Sequence, residues 1–217
     1  MKVPPLILAS ASPRRAELLR QLGVEFQIVP TAVREVEGEL LSAGETARIN
    51  AYRKARAAAT KHPHALVLGV DTVVALGGAI FGKPATLGEA EQILLTLSGK
   101  SHRVVTGVCL LRWREHRQRI FSEETAVTFR PLTRDQIRRY HALVNPLDKA
   151  GAYGIQEHGE MLVEAISGSF SNVIGLPLER LAAELPAFGA RLRPVQGRLY
   201  CNADETNSSP GLRPPSP

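Results

Sequence analysis

The sequence predicts an α/β domain built on a mixed β-sheet. Two observations carry this. Short apolar runs alternate with capped helical segments through the first hundred residues, and the alternation then gives way to two long strand-like runs, 102–111 and 118–130. Alternating strand and helix indicates parallel pairing, and two strands joined by a turn indicate an antiparallel addition to the same sheet. The chain has 217 residues, 44% of them hydrophobic, which suffices for one sizeable core.

Residues 6–9 read as a short buried strand. Ser12 is a good N-cap, and Pro13 suits the first helical position because its N–H is missing and its φ is preset. Leu18, Leu19 and Leu22 form an apolar stripe, and Gly23 ends the helix. A strand is expected over 25–29. Capping boxes open three further helices. Ser42 with Glu45 starts one that runs to about Ala59, Thr86 with Glu89 one that stops near Gly99, and Thr133 with Gln136 a third. ALVLGVD (65–71) reads as a buried strand ending at an acid. In 118–130, Val127 and Phe129 alternate with polar neighbours. MLVEAI (161–166) is another strand, and Pro177 starts a last helix with Leu178, Leu181 and Leu185 on one face. Periodicity fails from about Arg191. The expected organisation is one domain over 1–190 and a disordered tail rich in Pro, Ser, Asn and Gly over 191–217.

Composition narrows the function classes. The net charge of +6 is spread over several segments, among them Arg112, Arg114, Arg117 and Arg119 around a turn and Arg134, Arg138 and Arg139 on a helix. Such scatter marks solvated faces and also suits a polyphosphate ligand. Basic and aromatic residues do not interleave, so nucleic acid is not an expected partner. The N-terminal apolar run is too short for a signal peptide, is interrupted by proline and is followed at once by Arg14 and Arg15. No run approaches membrane-spanning length. Cys109 and Cys201 match no metal spacing, and Cys109 reads as a buried thiol. A soluble cytoplasmic protein is the expectation.

Four segments carry candidate chemistry. In LILASASPRRAELL (6–19), Arg14 and Arg15 sit in the first turn of a helix, where they add to the partial positive charge. An anionic ligand would turn that cost into a gain. A strand, a polar loop and a helix N-terminus form an anion-site geometry, with Ser10 and Ser12 as further hydroxyl donors. The plain alternative is a capped helix with two solvent-facing arginines. In GVDTVVALGGAIFGKP (69–84), Asp71 ends an apolar strand beside Thr72, Gly77-Gly78 makes a turn, and Gly82-Lys83-Pro84 presents a lysine. An acid and a lysine flanking a hairpin suit metal-bound phosphate chemistry; a structural Asp and a surface Lys are the alternative. No P-loop pattern occurs. In REVEGE (34–39), one of three alternating acids could hold a divalent cation together with Asp71. Residues 145–178 are dense in glycine, which suggests close backbone approach, and carry Asp148, Lys149, Tyr153 and Gln156. Glutamine donates and accepts together, as the amide edge of a nucleobase requires. The six histidines show no ligand spacing with one another.

Taken in order, SASPRRAELL, GVDTVV with FGKP, SGKSHRVVTGV, ETAVTFRPL, and DKAGAYGIQ with GSFSNVIGLPL resemble the Maf family of nucleotide pyrophosphatases over roughly residues 5–186. The resemblance implies an elongated α/β fold with a central cleft, related to inosine triphosphate pyrophosphatases. It implies hydrolysis of a nucleoside triphosphate to the monophosphate and pyrophosphate with a divalent cation, Mg²⁺ or Mn²⁺. DKAGAYGIQ is similar to the branch acting on dTTP and UTP, and Lys149 and Gln156 argue against the branch acting on 7-methyl-GTP. By the same resemblance, Asp71 is the proton acceptor and Glu35 is an acid linked with Asp71 to metal binding. Arg14, Thr72 and Gln156 would select the base, while Ser10, Ser12, Arg15, Lys54, Lys83 and Lys149 line the phosphate cleft. Arg15 becomes the phosphate ligand of the arginine pair and Arg14 the specificity residue. Val70 stands where alanine is frequent, and Glu157-His158 replaces a more usual glycine-rich pair. Modified pyrimidine nucleotides are a further substrate class, and a homodimer is the family expectation. The competing reading is a non-catalytic regulator of septum formation that binds nucleotide or a partner.

Overall fold

A computed structural model describes residues 5–36 and 40–193. The acids Glu37 and Glu39, Cys201 and most of the expected tail lie outside the described residues. In chain order the elements are β1 (Leu6–Ala9), α1 (Pro13–Arg20), β2 (Phe26–Ile28), α2 (Ala43–Ala59), β3 (Leu66–Leu76), β4 (Ala79–Phe81), α3 (Leu87–Leu97), β5 (Ser101–Arg112), β6 (Arg117–Phe129), α4 (Arg134–Leu143), β7 (Val163–Ser167), α5 (Phe170–Ile174) and α6 (Leu178–Glu184). The sheet order is β2-β1-β3-β5-β6-β7, with β4 paired to β3. β1 is parallel to β2 and β3, and the remaining pairs are antiparallel, so the mixed sheet is as expected.

The helix starts follow their caps. Ser12, Ser42, Thr86 and Thr133 each accept a hydrogen bond from the backbone N–H three residues on. Glu45 and Gln136 return the bond to the cap residue, which completes two capping boxes. The strand expected to end at Asp71 is longer. β3 runs through Asp71 to Leu76, paired residue by residue with β5 from Leu66↔Arg112 to Ala75↔Arg103. Val73, Val74 and Ala75 are themselves buried, so nothing apolar stops the strand at the acid. The strand that does end there is β1, whose pairing with β3 stops at Ala9↔Gly69. Between Gly69 and Val74, where β4 takes up the pairing, that side of β3 has no partner strand, which exposes a sheet position to the cleft. The sequence reading also missed α5, a single turn capped by Ser169 inside the glycine-rich segment.

The two faces of the sheet are packed differently. Leu66, Leu68 and Val70 of β3 join Leu18 and Leu19 of α1 and Leu178 and Leu181 of α6 in one cluster, with Leu185 beyond. Val67 faces the other way, onto Ala51, Ala55 and Ala58 of α2, with Cys109. Burial pushes the Cys109 thiol up to about 12, so it is an inert packing group. A third cluster joins Val74, Leu94, Phe129, Ile137 and Tyr140 beneath α3 and α4. The alanine face of α2 permits unusual closeness. A Cβ on Gly69 would collide with the Ala51 carbonyl and the Ala55 amide, and one on Gly107 with the carbonyl of Ala47. Gly107 pairs directly with Asp71 across β3 and β5, so α2 lies close against the sheet beside the acid.

His102 of β5 is buried in an aromatic group, with Phe129 at 4.6 Å and Tyr153 at 5.5 Å, both edge-on. Its Nε2 shares a 2.8 Å hydrogen bond with the Tyr153 hydroxyl. Burial lowers its pKa from 6.5 to about 4.

Two predictions follow from this packing. Gly69→Ala drives α2 away from the sheet and lowers the free energy of unfolding by about 1–3 kcal/mol, read as a lower urea midpoint at unchanged m-value. Between pH 6.5 and about 4 only the unfolded chain protonates at His102. The contribution of His102 is therefore complete above pH 6.5 and about 3 kcal/mol is lost as pH falls through that window. His102→Leu should show a shallower fall in stability from pH 7 to pH 4 than the unsubstituted protein.

Candidate functional site

The cleft opens where β1 stops and β3 continues. It encloses roughly 900 Å³, part of it open to solvent, between α1, β3, α2 and the 148–157 segment. Successive β3 side chains face opposite sides of the sheet. Asp71 accordingly meets α2, Thr72 meets α1 and the α5 segment, and both border the cleft.

Arg15 holds this opening together. Its Nε donates to the Gly175 carbonyl (3.0 Å), its Nη1 to Ser10 Oγ (3.2 Å) and the Val70 carbonyl (3.1 Å), and its Nη2 to Thr72 Oγ1 (2.9 Å). These bonds use all but one of its N–H groups. Burial lowers its pKa, opposed by the charges of Asp71 and Glu35. The arginine expected to serve as the phosphate ligand borders the cleft and ties the residue after β1, β3 and the residue after α5 together. Ser10 is buried behind it, also accepts from the Ser12 N–H (3.2 Å), and is not part of the cleft lining, whereas Ser12 is.

The acid centre lies under α2. Asp71 is 3% exposed. Its Oδ1 accepts from Lys54 Nζ at 2.6 Å and its Oδ2 from Asn50 Nδ2 at 3.3 Å. Lys54 Nζ also donates to Glu35 Oε1 at 2.6 Å. Asn50 and Lys54 are four residues apart, one helical turn, and so face the sheet together. Asn50 additionally clamps the acidic loop, accepting from the Val36 N–H at 2.7 Å and donating to the Val36 carbonyl at 3.3 Å. Burial raises the pKa of Asp71 above the ordinary aspartate value, and the charge and hydrogen bond of Lys54 only partly oppose it. For Glu35 the balance falls the other way. Burial acts to raise its pKa, but Lys54, Lys83 and Arg15 together hold it below the usual range. One carboxylate is therefore tuned toward taking up a proton and its neighbour toward staying charged.

The opposite wall carries the remaining expected residues. Arg14 donates to Asp148 Oδ2 and to the Asp148 carbonyl, both at 3.3 Å, and lies 3.8 Å from Glu157 Oε1. Lys149 is 4% exposed and directs its ammonium to the Asn145 carbonyl (2.9 Å), Asp148 Oδ1 (2.8 Å) and Glu157 Oε2 (3.2 Å). All its donor capacity is spent inside the wall, although its side chain borders the cleft. Tyr140 pins the same segment. Its hydroxyl accepts from the Gly154 N–H at 2.9 Å and lies 3.3 Å from the Gly154 carbonyl. Gln156 and Lys83 border the cleft and are exposed, and neither makes a hydrogen bond or ion pair among the described residues.

One cleft thus gathers Ser12, Arg14, Arg15, Glu35, Lys54, Asp71, Thr72, Lys83, Lys149 and Gln156, from segments spread over 145 positions of sequence. Sequence reasoning missed Asn50, the clamp on Glu35 and partner of Asp71. The available signal was a lone asparagine one turn before Lys54 in an alanine-rich helix. Glu157 was read only as a departure; it shares Lys149 and Arg14 with Asp148.

A divalent cation can be tested against these donors. Glu35 and Asp71 converge on a single cation, the Lys54 ammonium, and a pair of hard carboxylate oxygens suits Mg²⁺ or Mn²⁺. No group of three His, Cys, Asp or Glu residues is placed to hold a metal among the described residues. A cation there would draw its other ligands from water and substrate, which is the ordinary habit of Mg²⁺.

A family model described as Maf-like protein matches residues 5–188. The dTTP/UTP pyrophosphatase of Symbiobacterium thermophilum is 49% identical over 184 residues, covering 85% of this chain and 94% of that protein. The dTTP/UTP pyrophosphatase of Desulforamulus reducens is 42% identical over 188 residues, covering 87% and 98%. A solved structure of a HAM1 protein from Coxiella burnetii aligns at a TM-score of 0.47 and 22% identity, covering 85% of this chain and 99% of that one. No helix among the described residues is long and apolar enough to cross a membrane.

The clamp generates a prediction. Asn50→Ala leaves the Val36 N–H and carbonyl and one Asp71 oxygen without their partner, at a cost of about 1–3 kcal/mol in unfolding free energy. The Val36 amide should lose hydrogen-exchange protection more than amides of β1 or β5 do.

Proposed function

The chain belongs to the Maf-like protein family, and from this cleft we infer that it hydrolyses dTTP and UTP to the monophosphate and pyrophosphate. The observation that carries the reading is the buried Asp71 carboxylate, with its raised pKa, beside a charged Glu35 and several cations in one cleft. A general base works best when its pKa lies near the operating pH, and burial moves Asp71 in that direction. The relatives named dTTP/UTP pyrophosphatase, aligned over nearly their full length, support the substrate class.

The residues divide the work as follows. Asp71 accepts a proton from water as the water oxygen bonds to the α-phosphorus and the bond to the pyrophosphate oxygen breaks. Asn50 and Lys54 orient the two carboxylate oxygens during that transfer. Lys83, which has no ion pair among the described residues, faces the phosphates and meets the charge on the departing pyrophosphate, while Arg14, half-committed to Asp148, lies with the base-selecting residues. Glu35 and Asp71 would hold a divalent cation. When bound, it would supply neutralisation of the triphosphate charge. Gln156 and Thr72 face the base. A non-catalytic binder would have no use for a carboxylate held under a helix at this cost in burial.

The test is pyrophosphate release from dTTP, UTP, CTP, ATP, GTP and 7-methyl-GTP with Mg²⁺ or Mn²⁺. Turnover of dTTP and UTP is expected, and Asp71→Asn should lower kcat by about 10²- to 10⁴-fold in protein that still folds. Preference for 7-methyl-GTP would overturn the role of Gln156. Undiminished turnover in Asp71→Asn would overturn the role of Asp71, and no turnover by folded, metal-supplied protein would leave the regulator reading in its place.

A further inference from the structure

Behind the cleft a chain of hydrogen bonds links Arg15, Thr72, Thr106 and Asn172. Thr106 of β5 is fully buried, and its Oγ1 lies 3.1 Å from the Asn172 carbonyl, which can only accept. Thr106 has a single proton to give, and this carbonyl takes it while also accepting from the Gly175 N–H at 3.0 Å in the arrangement we infer. With the Thr106 proton on that carbonyl, Thr106 accepts and Thr72 donates at the 3.0 Å contact between their hydroxyls. Arg15 Nη2, which can only donate, enters Thr72 Oγ1 from the other side at 2.9 Å. The Thr72 hydroxyl borders the cleft with its proton committed inward and one lone pair left over. Asn172 anchors the end of the chain: it is buried, and its Nδ2 donates to the Val104 carbonyl (3.1 Å) and Thr125 Oγ1 (3.0 Å).

We propose that Thr106 is a positioning residue that keeps Thr72 an obligate acceptor, which selects bases carrying an imide N–H, uracil and thymine, against cytosine. This rests on the nucleotide reading above. Uracil and thymine present a donor at the ring nitrogen between their carbonyls, and cytosine presents a lone pair there. An acceptor facing a lone pair is repelled and leaves both groups unpaired. Gln156 cannot make this distinction by itself. Its carboxamide has no hydrogen bond among the described residues, so a half-turn offers oxygen or NH₂ as the base requires. The fixed partner is Thr72, and its fixity comes from Arg15 on one side and Thr106 on the other.

Thr106→Val keeps the shape and removes the acceptor, which frees the Thr72 proton to turn into the cleft. The UTP-to-CTP ratio of kcat/KM should fall by about tenfold or more, chiefly through gain of CTP turnover. Thr106→Ser should keep the ratio of the unsubstituted protein. A merely structural role would lower both substrates together and leave the ratio unchanged, which overturns the proposal. Where Thr106→Val fails to fold, Thr72→Val against Thr72→Ser makes the same comparison. Loss of the UTP preference in the valine variant alone is expected, and an unchanged preference overturns the proposal. Thermal-shift titrations with UMP and CMP read the same selectivity without turnover. Failure of every triphosphate to react would strike the hydrolase reading, and equal UMP and CMP binding by the unsubstituted protein would strike the relay.

Discussion

The working part of this molecule depends on how closely α2 lies against the sheet. Gly69 and Gly107 have no room for a Cβ because the α2 backbone occupies it, and the facing positions of α2 are alanines. That contact contributes little apolar area for its length. Its effect is positional: it brings a helix turn carrying Asn50 and Lys54 into bonding range of a carboxylate in the middle of a sheet. A helix seated on larger side chains would stand further off, at the wider separations ordinary for packed elements. Lys54 would then reach neither Asp71 nor Glu35 at 2.6 Å.

The same closeness decides the electrostatics. Placing Asp71 under the helix removes it from water, which alone would favour the neutral acid. Lys54 at contact distance reduces that penalty without cancelling it, and the carboxyl remains easier to protonate than a free aspartate. Glu35 is nearer solvent and shares the same ammonium, so the pairing outweighs its burial. Distance and burial together separate two chemically similar acids. By contrast the Arg20–Glu17 pair, at 2.8 Å, is exposed at both ends and contributes little to stability.

Much of the frame was legible locally. The caps at Ser12, Ser42, Thr86 and Thr133, the strand pair and the leucine face of α6 are all determined by residues within a few positions of one another. Site residues whose chemistry is intrinsic, such as Asp71, Lys83 and Gln156, also stood out by residue type and neighbours. What escaped were the partners that lie far away in sequence. Arg15 looked like a phosphate ligand because its acceptors at Val70, Thr72 and Gly175 lie 55, 57 and 160 positions away. Lys149 was placed in the same class, yet Glu157 and the Asn145 carbonyl absorb its charge and donors. Thr106 is an ordinary strand threonine in sequence and becomes notable only once its hydroxyl is found between Thr72 and the Asn172 carbonyl.

The Arg15 tie changes what a mutational scan of this cleft can mean. Four oxygens from three parts of the chain are gathered on one planar guanidinium, and no other side chain offers donors in that fork. Replacing it, even by lysine, unfastens Ser10 from Val70 and Thr72 from Gly175 at one stroke. An inactive Arg15 variant therefore reports a cleft that has come apart, and would look the same for any ligand. Lys83 is the informative counterpart. It makes no hydrogen bond or ion pair among the described residues, so apart from its pull on Glu35 a change there reports on whatever anion the cleft takes up.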